Sequence, residues 1–160
     1  MSEPYKTADE LQSGMLSGVH AAWRDTTAGR LAPKREEITP ALLKTALPWI
    51  WMIDVVDRGA DFRFRLAGDR VIQFMGRRYA GELLSSFAEE PFFQRMRHAL
   101  LECLRRREPV AVGPMRSLMK GKEYLDLEVV VLPLSEDGSE ITTLFGAMEA
   151  RPIERILPKG

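Results

Sequence analysis

The chain has 160 residues with 23 basic and 23 acidic side chains, 45% hydrophobic and 29% charged, which is the composition of one ordinary globular domain with no net field to draw nucleic acid or an anionic membrane. A single cysteine, Cys103, and two histidines, His20 and His98, exclude an internal disulfide and any Cys/His metal-ligand spacing. No apolar run approaches the roughly 18 to 20 residues of a membrane span and the N-terminus has no basic start followed by an apolar stretch, so the expectation is a soluble cytoplasmic protein.

Residues 1–7 read as a loose terminus. Over 8–28, Leu11, Met15, Val19, Ala22 and Trp23 recur at steps of three and four, an apolar stripe on an amphipathic helix of about five turns. That stripe has two readings: a dimer interface through Leu11, Met15, Val19 and Trp23, or packing on the chain's own domain. Gly29 ends the helix. Thr39 before Pro40 is an N-cap before a first helical position, and it opens a short helix over 41–47 that Pro48 closes. Residues 49–56, WIWMIDVV, form a continuous apolar run, which predicts a strand covered on both faces.

After the turn DRGAD, Phe62, Phe64 and Leu66 alternate with Arg63 and Arg65, a half-buried strand paired with the first. At Gly68 the period changes: Asp69 can cap a short helix carrying Val71, Ile72 and Met75, and Gly76 stops it. A second short helical stretch follows over 83–87. Over 90–107, Phe92, Phe93, Met96, Ala99, Leu100, Cys103 and Leu104 trace one face of a longer helix. Arg105, Arg106 and Arg107 lie where the helix dipole favours cations, a simpler account than a nucleic-acid patch.

Three further strands are expected. The first, over 110–118, is interrupted by Gly113 and Pro114 and so reads as an edge or a bulge. The second, over 124–134, sets Tyr124, Asp126 and Glu128 against Leu125, Leu127 and Val129, with the acidic side toward solvent or toward Arg63 and Arg65. An Asp137-Gly138 turn leads into the last strand, over 141–150. The sum is an α+β domain: a five-stranded antiparallel sheet with helices gathered on one face and an added N-terminal amphipathic helix. The expected division is 1–39 for that helix and its linker, 40–150 for the sheet domain and 151–160 for a tail. No output segment fits in this length, so any signal is expected to pass to another protein.

The motifs LPWIWMIDVV, FRFRLAGDRVIQFMGRRYAGELL and FFQRMRHALLECL, with the strand pair YLDLEVVVLPL and ITTLFGAMEA, resemble the PAS domain, and in particular the small single-domain PAS proteins of alphaproteobacterial type. The resemblance covers about 47–150, and its most specific part is the RxRLxG element at 63–68 followed by GRRYAG. It implies a pocket between the sheet and the helices, and a dimer formed by the outer sheet face with the N-terminal helix.

The pocket residues would be Phe64, Arg65, Leu66, Phe74, Tyr79, Phe93, Met96, Leu100 and Met115, joined by Met75; methionine fills space around a ligand as readily as it fills a core. A packed core without ligand is the competing reading. Arg65 has two options: inward beside Tyr79, where it would hold an anionic group, or outward, paired with Asp126 or Glu128. Haem-binding PAS domains carry an axial histidine on the helix corresponding to 90–107, yet His98 falls nearer the charged side. No cysteine lies in DRVIQFMGRR, where flavin-photoreceptor PAS domains place one. The cofactor is unknown: none is required, haem and flavin are disfavoured, and no metal or catalytic constellation is present.

The expected function is therefore a stand-alone, non-catalytic PAS-type sensory or regulatory module. It would bind a small molecule, a signalling partner, or both, through a homodimer, with no nucleic acid and no membrane. The alternatives are an enzyme or carrier for a small hydrophobic acid, and a structural interaction module with a filled core.

Overall fold

The apolar runs of the sequence become the central strands of one sheet. A computed structural model describes residues 5–153 and contains six antiparallel strands: β1 (Tyr5–Thr7), β2 (Ile50–Val56), β3 (Asp61–Ala67), β4 (Val110–Arg116), β5 (Leu125–Leu134) and β6 (Thr143–Pro152). Their spatial order is β1-β4-β5-β6-β2-β3. In the middle of the sheet Val131, Gly146 and Trp51 stand in one row, and Leu132, Phe145 and Met52 in the next. Successive rows face opposite sides.

Four helices cover the two faces: α1 (Gly14–Thr27), α2 (Pro40–Leu43), α3 (Asp69–Met75) and α4 (Pro91–Arg106). On the inner face Val71 and Phe74 of α3 and Phe93, Leu100 and Cys103 of α4 pack against Ile53, Phe62, Val131 and Leu144. On the outer face Leu16, Val19 and Trp23 of α1, with Leu43 of α2, pack against Met52, Val130, Leu132 and Phe145. Double cover explains why the central strands lack polar alternation. Each large side chain so buried contributes roughly 1.5–3 kcal/mol.

The α+β class and the antiparallel sheet agree with the sequence-based expectation, and several details differ. The sheet has six strands rather than five, because Tyr5–Thr7, expected as loose terminus, pairs with β4 through Tyr5–Val112 and Thr7–Val110. Helices lie on both faces, since α2 joins α1 outside. The first helix starts at Gly14, where the Ser13 hydroxyl accepts the Leu16 N–H at 3.2 Å; before it, a 3₁₀ turn occupies Ala8–Glu10. α2 ends at Leu43, where Lys44 takes a φ of 51°, and a 3₁₀ helix follows over Lys44–Trp49 with Pro48 inside it rather than closing it. The interruption at Gly113 is a bulge, at φ 90°, and the outer edge there belongs to β1. β6 runs through Pro152, so strand continues into the segment expected as a tail, whose residues 154–160 lie outside the described residues.

The handover from β3 to α3 depends on Gly68, which occupies the capping position expected for Asp69. Its N–H donates to the Ile50 carbonyl at 2.7 Å, and a Cβ there would lie 2.4 Å from the Leu47 and Pro48 carbonyl oxygens. Only glycine passes between them.

Candidate functional site

The site is shaped first by an irregularity in β3. Phe62 and Phe64 stand opposite Val55 and Ile53 and face inward, but the register then shifts, so that Leu66 stands opposite Met52. Arg65 is the extra residue of a β-bulge. Leu66 consequently stands out of step with Phe62 and Phe64 and is 46% exposed, at the open rim of the cavity described below. Arg65 reaches along the sheet to Asp54, its Nη1 donating to the two carboxylate oxygens at 3.1 and 3.0 Å. Neither expected partner, Asp126 or Glu128, is used.

Glu128 is engaged elsewhere, on the outer face. Its carboxylate accepts from Lys6 Nζ at 2.8 Å and from the backbone N–H groups of Gln12 and Ser13 at 2.9 and 2.7 Å. Glu149, directly opposite on β6, accepts from the Ser13 hydroxyl. The cap of α1 is thus fastened to two carboxylates of the central strands. Trp23 continues the same docking: it is 7% exposed and its Nε1 donates to the Pro133 carbonyl at 2.8 Å. Of the four residues expected at a dimer interface, Val19 and Trp23 are buried against the chain's own sheet, and Leu11 and Met15 flank them half-buried.

Between the inner face and the helices lies a cavity of about 280 Å³. Trp51, Ile53 and Phe64 of β2 and β3 form one wall; Val71, Ile72 and Met75 of α3 form another; Met96, Ala99 and Leu100 of α4 form the roof. Val112 and Met115 of β4, Leu127, Val129 and Val131 of β5, and Met148 of β6 complete it. Seven of the nine expected residues border it: Phe64, Arg65, Leu66, Tyr79, Met96, Leu100 and Met115. Phe74 and Phe93 do not. Phe74 packs against Phe92 in a tilted pair with ring centroids 5.8 Å apart, while Phe93, 1% exposed, sits within an aromatic cluster, 5.0 Å from Phe87 and 5.4 Å from Tyr79. That cluster meets the cavity through Phe64 and Tyr79. Trp51, Val129 and Met148 went unassigned because runs apolar on both faces do not say which residues face which side.

The polar groups bordering the cavity are nearly all cationic. Arg77 lies over the Tyr79 ring at 4.1 Å and pairs with Glu82 at 2.9 Å. Arg95 is half-buried at the start of α4, and its Nη1 donates to the Arg116 carbonyl at 3.0 Å. Burial lowers its pKa, while the Tyr5 phenol on β1 favours its charge. Arg78 borders the cavity from the loop after α3. Among the described residues no aspartate, glutamate, histidine or cysteine borders the space. His98 is exposed on α4 and is not placed to ligate a group bound there. His20 packs on Trp23 at 6.4 Å, and burial lowers its pKa. Cys103 donates its thiol proton to the Glu108 carbonyl at 3.3 Å, and burial pushes its pKa up, so it is not a nucleophile at neutral pH.

Among the described residues no helix is long and apolar enough to cross a membrane. No curated protein matches the sequence. A family model described as PAS domain matches residues 12–149, a stretch that takes in all four helices, the strands β2 to β5 and most of β6. The sheet order of β2 to β6, the helices over its inner face and this match agree: the chain belongs to the PAS domain family.

Proposed function

We propose that this PAS domain is a non-catalytic sensory or regulatory module that holds a small apolar molecule between the sheet and the helices α3 and α4. The observation that carries the reading is the cavity of about 280 Å³, walled by aromatic, aliphatic and methionine side chains. That volume lies near the lower end of the roughly 300–1,000 Å³ usual for small-molecule sites. It weighs against a filled-core interaction module. Proton-transfer chemistry needs a titratable pair near the substrate, and Tyr79 is the one bordering group, among those described, that could donate a proton without carrying a fixed charge, which favours a sensor over an enzyme.

Native mass spectrometry of the freshly purified chain tests the proposal. The expected result is a mass increment that denaturation removes, or, for a chain isolated empty, displacement of the Met75, Met96, Met115 and Met148 methyl resonances by small apolar compounds. An empty chain whose methyl resonances stay fixed with every compound overturns the reading.

A further inference from the structure

The charges around the cavity are unevenly matched. Four arginines border it, and two of them are neutralised within the chain, Arg65 by Asp54 at 3.0 Å and Arg77 by Glu82 at 2.9 Å. For Arg78 and Arg95, no carboxylate among the described residues lies within ion-pair distance. Arg95 is also half-buried; it donates to the Arg116 carbonyl and faces the Tyr5 phenol, and a partly dehydrated guanidinium with no carboxylate partner among the described residues is a positive charge that an anion neutralises. Away from these cations the described side chains of the wall are apolar apart from the Tyr79 phenol and the Trp51 indole N–H, so an anion decorated with several further polar groups would leave most of them unsatisfied.

We infer that the ligand of this cavity is an apolar monocarboxylate, its hydrocarbon part among Met75, Met96, Ala99 and Met148 and its carboxylate at Arg95 and Arg78. A cavity of about 280 Å³, just below the roughly 300–1,000 Å³ usual for small-molecule sites, calls for a compact ligand. An unbranched acid of about eight carbons, or an aryl-alkyl acid of similar bulk, has that size. A cation of the same length meets uncompensated positive charge. A neutral alcohol satisfies the apolar walls and leaves Arg95 as it is. The inference rests on the reading of the cavity as a ligand site and goes further by fixing the class of ligand.

The test is a titration of the full chain, labelled at its methionine methyl groups, with octanoate, 1-octanol and octylammonium, followed by NMR. The Met75, Met96, Met115 and Met148 resonances report the cavity, and Met15, on α1, serves as a remote control. Octanoate is expected to bind at least tenfold more tightly than 1-octanol, with octylammonium weakest. Arg95→Gln is expected to bring the octanoate-to-octanol ratio toward one while leaving octanol binding unchanged, and Arg78→Gln to lower the ratio by a smaller factor. Because Arg78 is exposed, its substitution reads the same preference if Arg95→Gln fails to fold. Octanol or octylammonium binding as tightly as octanoate overturns the inference while the cavity remains a ligand site. So does a ratio unchanged in both variants. If none of the three compounds moves the cavity resonances, the inference and the ligand-site reading fail together.

Discussion

Glu128 carries an unusual burden for one carboxylate. It is 4% exposed, and burial alone would raise its pKa, yet the Gln12 and Ser13 amides and the Lys6 ammonium hold it below the usual carboxylate range. Folding therefore gains from its ionisation above the unfolded pKa of about 4.3, and that gain disappears as pH falls through the lower folded pKa. Glu128→Gln is expected to destabilise the chain by about 2 kcal/mol at pH 7, since two amides and an ammonium lose their charged acceptor. Urea unfolding at pH 7 and at pH 3 checks this: the difference between variant and parent should shrink on acidification, and an equal difference at both pH values refutes the ionic account. Strand alternation in the sequence correctly set Glu128 on the face opposite Leu127 and Val129. It did not show what that face meets, because the donors come from residues 6, 12 and 13, more than a hundred positions away.

At the scale of the element, α1 is an outer layer of the domain. Its stripe was legible from spacing, but a helix stripe is the same whether it meets another copy of the chain or its own sheet. The contacts of Leu16, Val19 and Trp23 with Val130, Leu132 and Phe145 identify the sheet as the partner. Trp23→Ala should accordingly cost about 3–5 kcal/mol of folding stability, measured by urea denaturation, because it opens a cavity and orphans the Pro133 carbonyl. A variant that unfolds like the parent refutes this docking. Two elements were illegible for different reasons. β1 is three residues long, too short to show a period, and it forms because the outer edge of β4 presents unpaired backbone groups. The bulge at Arg65 has no glycine to announce it, so alternation was carried one residue too far, onto Leu66.

For the whole molecule, the order of strands and helices and the motif from Phe62 onward were enough to expect the PAS architecture. The distinction between a core and a cavity was not in the sequence. Phe64, Met75, Met96 and Leu100 have one pattern for both, and only the distance between α4 and the sheet decides how much space they leave. Ala99 makes that distance testable. It is buried in the roof, and Ala99→Leu adds three carbons directed at the open volume. The expected outcome is a cooperative unfolding transition at or above the parent midpoint, together with loss of the bound mass in native spectra. Undiminished binding in that variant places the ligand elsewhere.

Leu127, Glu128 and Val129 are consecutive, which makes β5 a diaphragm with a different attachment on each side. Leu127 and Val129 are cavity wall, and the residue between them is the mooring of β1 and of the α1 cap. The two compartments are separated by a single polypeptide backbone, with no intervening relay of packed side chains. The interior wall and the seating of the N-terminal segment therefore share the peptide planes at 127–129, and one stretch of backbone is the common support of both.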